Sequence, residues 1–117
     1  MRTCKLHCES MRATADVVFE NGLPPLIHDA KIVDQLEIAA KETIGEDRII
    51  FLPEPNPASD DFSEFLAHCP GVRYALGTRT EDPRTHEVVH NPNVVFDESA
   101  IRTAALVTCQ YVLNVLK

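Results

Sequence analysis

Proline carries no backbone N–H and its ring fixes φ, so it stops a helix and cannot sit in the middle of a sheet. Eight prolines, at positions 24, 25, 53, 55, 57, 70, 83 and 92, therefore confine regular structure in this chain of 117 residues to short windows. Pro24 and Pro25 make "GLPPLIHD" a connector, and the three prolines of "PEPNPAS" force a stiff, irregular loop. Pro70 with Gly71 ends whatever precedes it. Pro83 and Pro92 bracket a loop-rich stretch over residues 78–93.

The windows between them have clear periodicities. "MRTCKLHCESMR" places Met1, Cys4, Cys8 and Met11 at helical spacing, without a capping residue in front. "TADVVFEN" alternates: Ala15, Val17 and Phe19 share one face, Asp16, Val18 and Glu20 the other, which predicts a strand. Asp29 is placed to cap a helix running to about Ile44. Ile32, Val33, Leu36, Ala39, Ala40 and Ile44 form its apolar stripe, and Gly45 suits its end. "RIIFL" reads as a short buried strand and "VRYALG" as an alternating one. Ser59 is placed to cap a short helix, "DDFSEFLAHC", with Asp60 and Asp61 in its first turn. Asp97 opens a final helix to about Leu116. It is apolar on most sides, with Arg102, Gln110, Asn114 and Lys117 marking a thin wet edge, so it needs partners on several sides.

The net charge of −7 argues against nucleic acid or an anionic membrane as partner. No apolar run is long enough to span a bilayer, and the N-terminus lacks the apolar core of a signal peptide. Cys4, Cys8, Cys69 and Cys109 read as reduced thiols of a cytoplasmic protein.

One motif invites a chemical reading. His86-Glu87-Val88-Val89-His90 matches H-E-x-x-H, in which two histidines one helical turn apart hold zinc and the glutamate activates water. The bracketing prolines, the Asn91-Pro92 step and the two valines oppose a helix here. In an extended chain, positions 86 and 90 lie ~13 Å apart, too far to share one metal. Cys4, His7 and Cys8 fall on one helical face and could begin a zinc site, but no second cluster completes it. Small cysteines on a core-facing stripe explain them as well. Ser59, Asp60 and Asp61 could hold a metal or polarise a substrate, although a capped helix start accounts for the same residues. His28 and His68 read as surface or packing residues.

Four stretches, in order, resemble the metal-dependent amidohydrolases that include aminoacylases, hippurate hydrolases and auxin-conjugate hydrolases, related to the co-catalytic zinc carboxypeptidases. "ATADVVFENGLPPLIHD" is similar to the end of that family's lid domain: a strand, a glycine or aromatic residue (here Gly22), Pro24-Pro25, and a helix start at His28-Asp29. Ser59-Asp60-Asp61-Phe62 resembles the family's Ser-Glu-Asp-Phe, with one conservative departure. "PGVRYALGTRTED" and "HNPNVVFDESAI" resemble a Pro-Gly-(apolar)-Leu-Gly stretch and a His-Ser-Pro stretch followed by Phe-Asp-x-(Asp/Glu). The resemblance runs from about Thr14 to Lys117.

It implies an α+β fold in two parts. Residues 1–22 would be a helix and strand left from the lid or dimerisation domain. Residues 23–117 would be the closing α/β part of the catalytic domain, with two or more strands packed by three helices. It also implies a role for His90 as a loop-borne metal ligand, none for His86, and no general-base role for Glu87. The cofactor implied for an intact relative is a divalent zinc, manganese or cobalt ion, which activates water for hydrolysis of an N-acyl amino acid. Family members are roughly three times longer, with the other ligands and the base in front of the lid. The resemblance therefore implies a C-terminal fragment or subunit that is inactive alone and does not hold the metal stably by itself. Its expected partners are a chain carrying the N-terminal catalytic portion and further copies of itself. A non-catalytic assembly domain that kept the fold is the alternative.

Overall fold

A computed structural model describes all of residues 1–117. Four α-helices follow one another: α1 (Arg2–Ser10), α2 (Ala30–Ile44), α3 (Phe62–Leu66) and α4 (Ser99–Val115). Two 3-10 turns, Glu46–Arg48 and Pro83–His86, lie between them. There is no strand, so the α+β expectation is corrected: the chain is helical, with long extended connections.

The two long helices form where the local signals agree. The Ile32 amide donates to Asp29 Oδ1 at 3.0 Å, which satisfies one of the open donors of the first turn of α2. Gly45 ends the helix at φ 87°, and a Cβ there would meet Asp47 Oδ1 at 2.8 Å. Asp97 does the same service for α4. Its Oδ1 accepts from the Ser99 amide at 3.0 Å, and its Oδ2 from the Ser99 hydroxyl at 2.5 Å. These bonds from Ser99 hold the Asp97 carboxyl below the usual carboxylate range.

α2 and α4 are the only two α-helices in contact with each other. The small residues Ala39, at 0% exposure, with Ala40, Ala100 and Val107, make the whole buried apolar set. At the far end of the pair, Glu42 Oε2 accepts from Gln110 Nε2 and Asn114 Nδ2, each at 2.8 Å. Gln110 and Asn114, which by sequence mark a wet edge, instead grip the partner helix. Tyr74 Oη lies 3.2 Å from Thr108 Oγ1 and ties the 72–77 segment to α4.

The segments read as strands are extended but unpaired. Residues 14–21 and 50–52 make no backbone hydrogen bond, and 72–77 make none to another extended segment. A strand exists only through its neighbour, so alternation without a pairing partner leaves an extended chain. Ile50, Phe51 and Leu52, expected to be buried, are 82%, 62% and 71% exposed. The cysteine stripe of α1 is corrected too: α1 buries no residue and touches no other helix, and Cys4 is exposed. The consequence is global. The radius of gyration is 20.5 Å, against about 13 Å for a compact chain of this length. The accessible area is 10126 Å², against roughly 6,300 Å² for a compact protein of this mass. No helix is long and apolar enough to cross a membrane.

The Glu42 clasp gives a pH test. Hydrogen bonds from Asn114 and then Gln110 lower the Glu42 carboxyl pKa. A carboxyl with a lowered folded pKa contributes stability above its unfolded value, about 4.3, and loses it as pH falls through the lower folded value. Glu42→Ala should therefore lower the melting temperature at neutral pH, and the gap from the parent should close in acid. A gap of equal size at neutral pH and well below pH 4 would show that the carboxylate charge has no part in the α2–α4 contact.

Candidate functional site

The loop between the 72–77 segment and α4 carries the histidines, and its order comes from one buried hydroxyl. Thr85 is buried. Its Oγ1 donates to Asp82 O at 2.7 Å and accepts from the Thr80 amide at 2.9 Å. Asp82 Oδ1 accepts from the Arg84 amide at 2.9 Å and so caps the 3-10 turn Pro83–His86. The Arg84 side chain folds back onto the same carboxylate at 2.7 Å, which holds Asp82 below the usual carboxylate range. The loop is thus more ordered than its prolines suggest. Thr85 escapes sequence reading because no local pattern marks a threonine for burial.

The H-E-x-x-H run spans the end of this turn and the bend after it. His86 closes the 3-10 turn, and no α-helix covers residues 86–90. His86 Nε2 stands 2.7 Å from Thr80 O. A carbonyl only accepts, so Nε2 carries the proton and is not free to bind a metal. His90 sits at φ 72°, one of two non-glycine residues with positive φ, the other being Arg12. That left-handed backbone costs about 1–2 kcal/mol for an ordinary residue. It turns the chain sharply at His90, whose exposed side chain has no hydrogen bond of its own. The two histidines therefore have different surroundings and do not act as the paired ligands of a helix.

The other candidate residues have structural roles. The cap of α3 is Asp60 and not Ser59: Asp60 Oδ1 accepts from the Phe62 amide at 2.9 Å. Asp60 also pairs with Arg73 Nε at 2.8 Å, and its carbonyl accepts from the hydroxyl of the fully buried Ser63 at 2.8 Å. The helix it starts is five residues long and ends at Leu66, shorter than "DDFSEFLAHC" suggests. His28 and His68 are exposed and both line a wide depression of about 430 Å³, together with Asp29, Cys69 and Gly71. The Asp29 amide donates to Gly71 O at 3.0 Å and ties two of these lining residues together.

Holding a catalytic metal takes about three protein ligands. No three or more His, Cys, Asp or Glu side chains come together to hold a cation anywhere in the chain. The chain's own residues therefore do not fit a complete metal site.

Comparison with known proteins adds to this picture. The model of peptidase family M20/M25/M40 matches residues 5–114. A protein of Synechocystis sp. described as a probable hydrolase is 35% identical over 104 residues, which cover 89% of this chain and 26% of that one. Thermostable carboxypeptidase 1 of Saccharolobus solfataricus is 28% identical over 102 residues, covering 85% of this chain and 24% of its own. The N-acetyl-L-cysteine deacetylase of Bacillus subtilis is 32% identical over 91 residues, covering 78% and 20%. The chain thus spans a fifth to a quarter of the length of these curated relatives. No solved structure matches it.

The structural reading of the acidic pair is open to a direct check. Removing the cap with Asp60→Ala should cost α3 about 1 kcal/mol, seen as roughly fivefold faster amide exchange at Phe62, Ser63 and Glu64. Asp61 makes no capping bond, so Asp61→Ala should leave those rates nearly unchanged. Equal acceleration by both variants would contradict the assignment of Asp60 as the cap.

Proposed function

This chain belongs to peptidase family M20/M25/M40, and on that premise we propose that it is the C-terminal part of a metal-dependent hydrolase that cleaves the amide bond of N-acyl amino acids. The observation that carries the reading is the length relation. The family match runs through 5–114, almost the whole chain, while the chain spans only a fifth to a quarter of its relatives. An M20-type hydrolase generally depends on metal, and this chain offers one suitable ligand, His90. The remaining ligands and the general base belong to the front portion of the hydrolase, which packs against the part described by this chain. The name of one relative gives an N-acetyl amino acid as the molecule deacetylated, which supports the substrate class.

The surface is consistent with such a partner. Ile101 is 70% exposed and Leu113 56%, although both lie on the longest helix. Val18, Phe19, Ile50, Phe51 and Leu52 are exposed as well. Apolar surface on this scale marks an interaction site. Further copies of the chain compete for it, so the chain alone is a self-associating species. The four free thiols suit the cytoplasm as its compartment.

In this hydrolase the chain's residues have limited tasks. His90 presents an imidazole nitrogen from a sharp turn, and the loop bonds around Thr85 and Asp82 order the 3-10 turn that leads into it. Co-expression with a polypeptide carrying the front three quarters of an M20 relative provides the test. The isolated chain should not hydrolyse N-acetyl or N-benzoyl amino acids at any zinc, manganese or cobalt concentration, whereas the pair should. In the pair, His90→Ala should reduce turnover by at least the 10- to 100-fold typical of a disturbed metal shell, roughly to background. His86→Ala should change it little. Strong hydrolysis by the chain alone, or equal loss from both histidine variants, would refute the proposal.

A further inference from the structure

Glu87 lies inside the H-E-x-x-H run yet has no part in the reading above. Its carboxylate is engaged across the turn: Asn91 Nδ2 donates to Glu87 Oε2 at 2.6 Å. The other end of the same amide is also committed, since Asn91 Oδ1 accepts from the Asn93 amide at 2.9 Å. That second bond fixes the orientation of the amide, because a backbone N–H needs the oxygen and leaves Nδ2 facing Glu87. The Asn91 amide donates to Val88 O at 3.2 Å, and the Val94 amide to Asn91 O at 3.1 Å. Asn91 is half-buried among otherwise exposed neighbours. Every polar group of Asn91 is therefore used, and the residue they enclose is His90 at φ 72°.

A non-glycine residue stays in the left-handed region only where its surroundings hold it there. Val89 precedes His90 and Pro92 follows two residues later; neither donates a side-chain hydrogen bond that could do so. The bonds that close this turn come from Asn91, and its side chain is anchored by Glu87. From this geometry we infer that Glu87 and Asn91 form a positioning pair that holds His90 in the left-handed turn displaying its imidazole. The inference gives Glu87 a purpose different from the water-activating glutamate of a zinc helix: it acts on the backbone of the presented histidine. It rests on the reading of His90 as a metal ligand for its functional meaning, while the conformational claim stands on the turn alone.

Hydrogen-bond chemistry makes the claim testable by exchange of partners. In Glu87→Gln the side-chain oxygen still accepts from Asn91 Nδ2. In Asn91→Asp two acceptor-only carboxylates face each other, and the bond is replaced by repulsion, although the bond to the Asn93 amide is kept. In the double variant E87Q/N91D the glutamine nitrogen donates to the new carboxylate, and the bond returns with its direction reversed. The readout on the full 117-residue chain is the strong intraresidue amide–Hα NOE of His90, which a positive φ produces. It should persist in E87Q, fall in N91D and return in the double variant.

A second arm uses the chain paired with the front polypeptide. There N91D should lower kcat about tenfold, as for a disturbed supporting contact, with KM little changed, and E87Q/N91D should restore it. A simple loss of folding would not be restored by adding a second substitution. An undisturbed His90 NOE in N91D overturns the positioning pair, whatever the activity does. A lost NOE with unchanged kcat leaves the pair standing and overturns instead the reading of His90 as a ligand.

Discussion

Ala39, with no exposed surface, lies where α2 meets α4, and the remaining order of the chain is arranged around that meeting. Two alanines on one helix and Ala100 and Val107 on the other are small enough to bring the helices close. Glu42, Gln110 and Asn114 close the far end with charge-assisted hydrogen bonds. Asp29 and Asp97 fix where each helix begins, and so fix the register of the pair. The Asp29 amide reaches Gly71 O, and Tyr74 reaches Thr108, so the middle of the chain is hung on this pair as well. The histidine loop follows in turn, since the Asp97 amide at the root of α4 donates to Thr78 O at 3.4 Å.

What could be read in the sequence was local. Both long helices lie where their caps and stripes put them: α2 from Asp29 to Gly45, and α4 opened by Asp97. Caps and apolar periodicity act within a few residues, so a linear reading captures them. The three segments read as strands are the failures. Alternation at Val17 and Phe19, or at Val72, Tyr74 and Leu76, reports a wish to bury one face, while a sheet is a relation between distant segments. No such relation forms here, and the same residues lie extended, with Phe19 74% exposed.

The candidate site divides along the same line. The prolines and valines around H-E-x-x-H spoke against an α-helix, and the chain has no α-helix there, only a 3-10 turn ending at His86. That reading is a matter of backbone sterics, which sequence shows directly. The sequence did not reveal that Thr85 organises the loop, that His86 spends its Nε2 proton on Thr80 O, or that Glu87 holds Asn91. Each of these is a side-chain partnership decided by loop geometry. Asp60 shows the limit on a smaller scale: Ser59 and Asp60 are both good capping residues, and only the path of the chain chooses between them.

Six buried residues do not make a closed core, and the apolar surface of this chain is left open to further protein. X-ray scattering from the purified chain, extrapolated to infinite dilution with the mass obtained from the forward intensity, tests this most directly. Self-association should raise the mass as concentration rises, and the monomer reached at infinite dilution should have a radius of gyration near 20.5 Å. A monomer mass with a radius of about 13 Å, the value for a compact domain of this length, would contradict it.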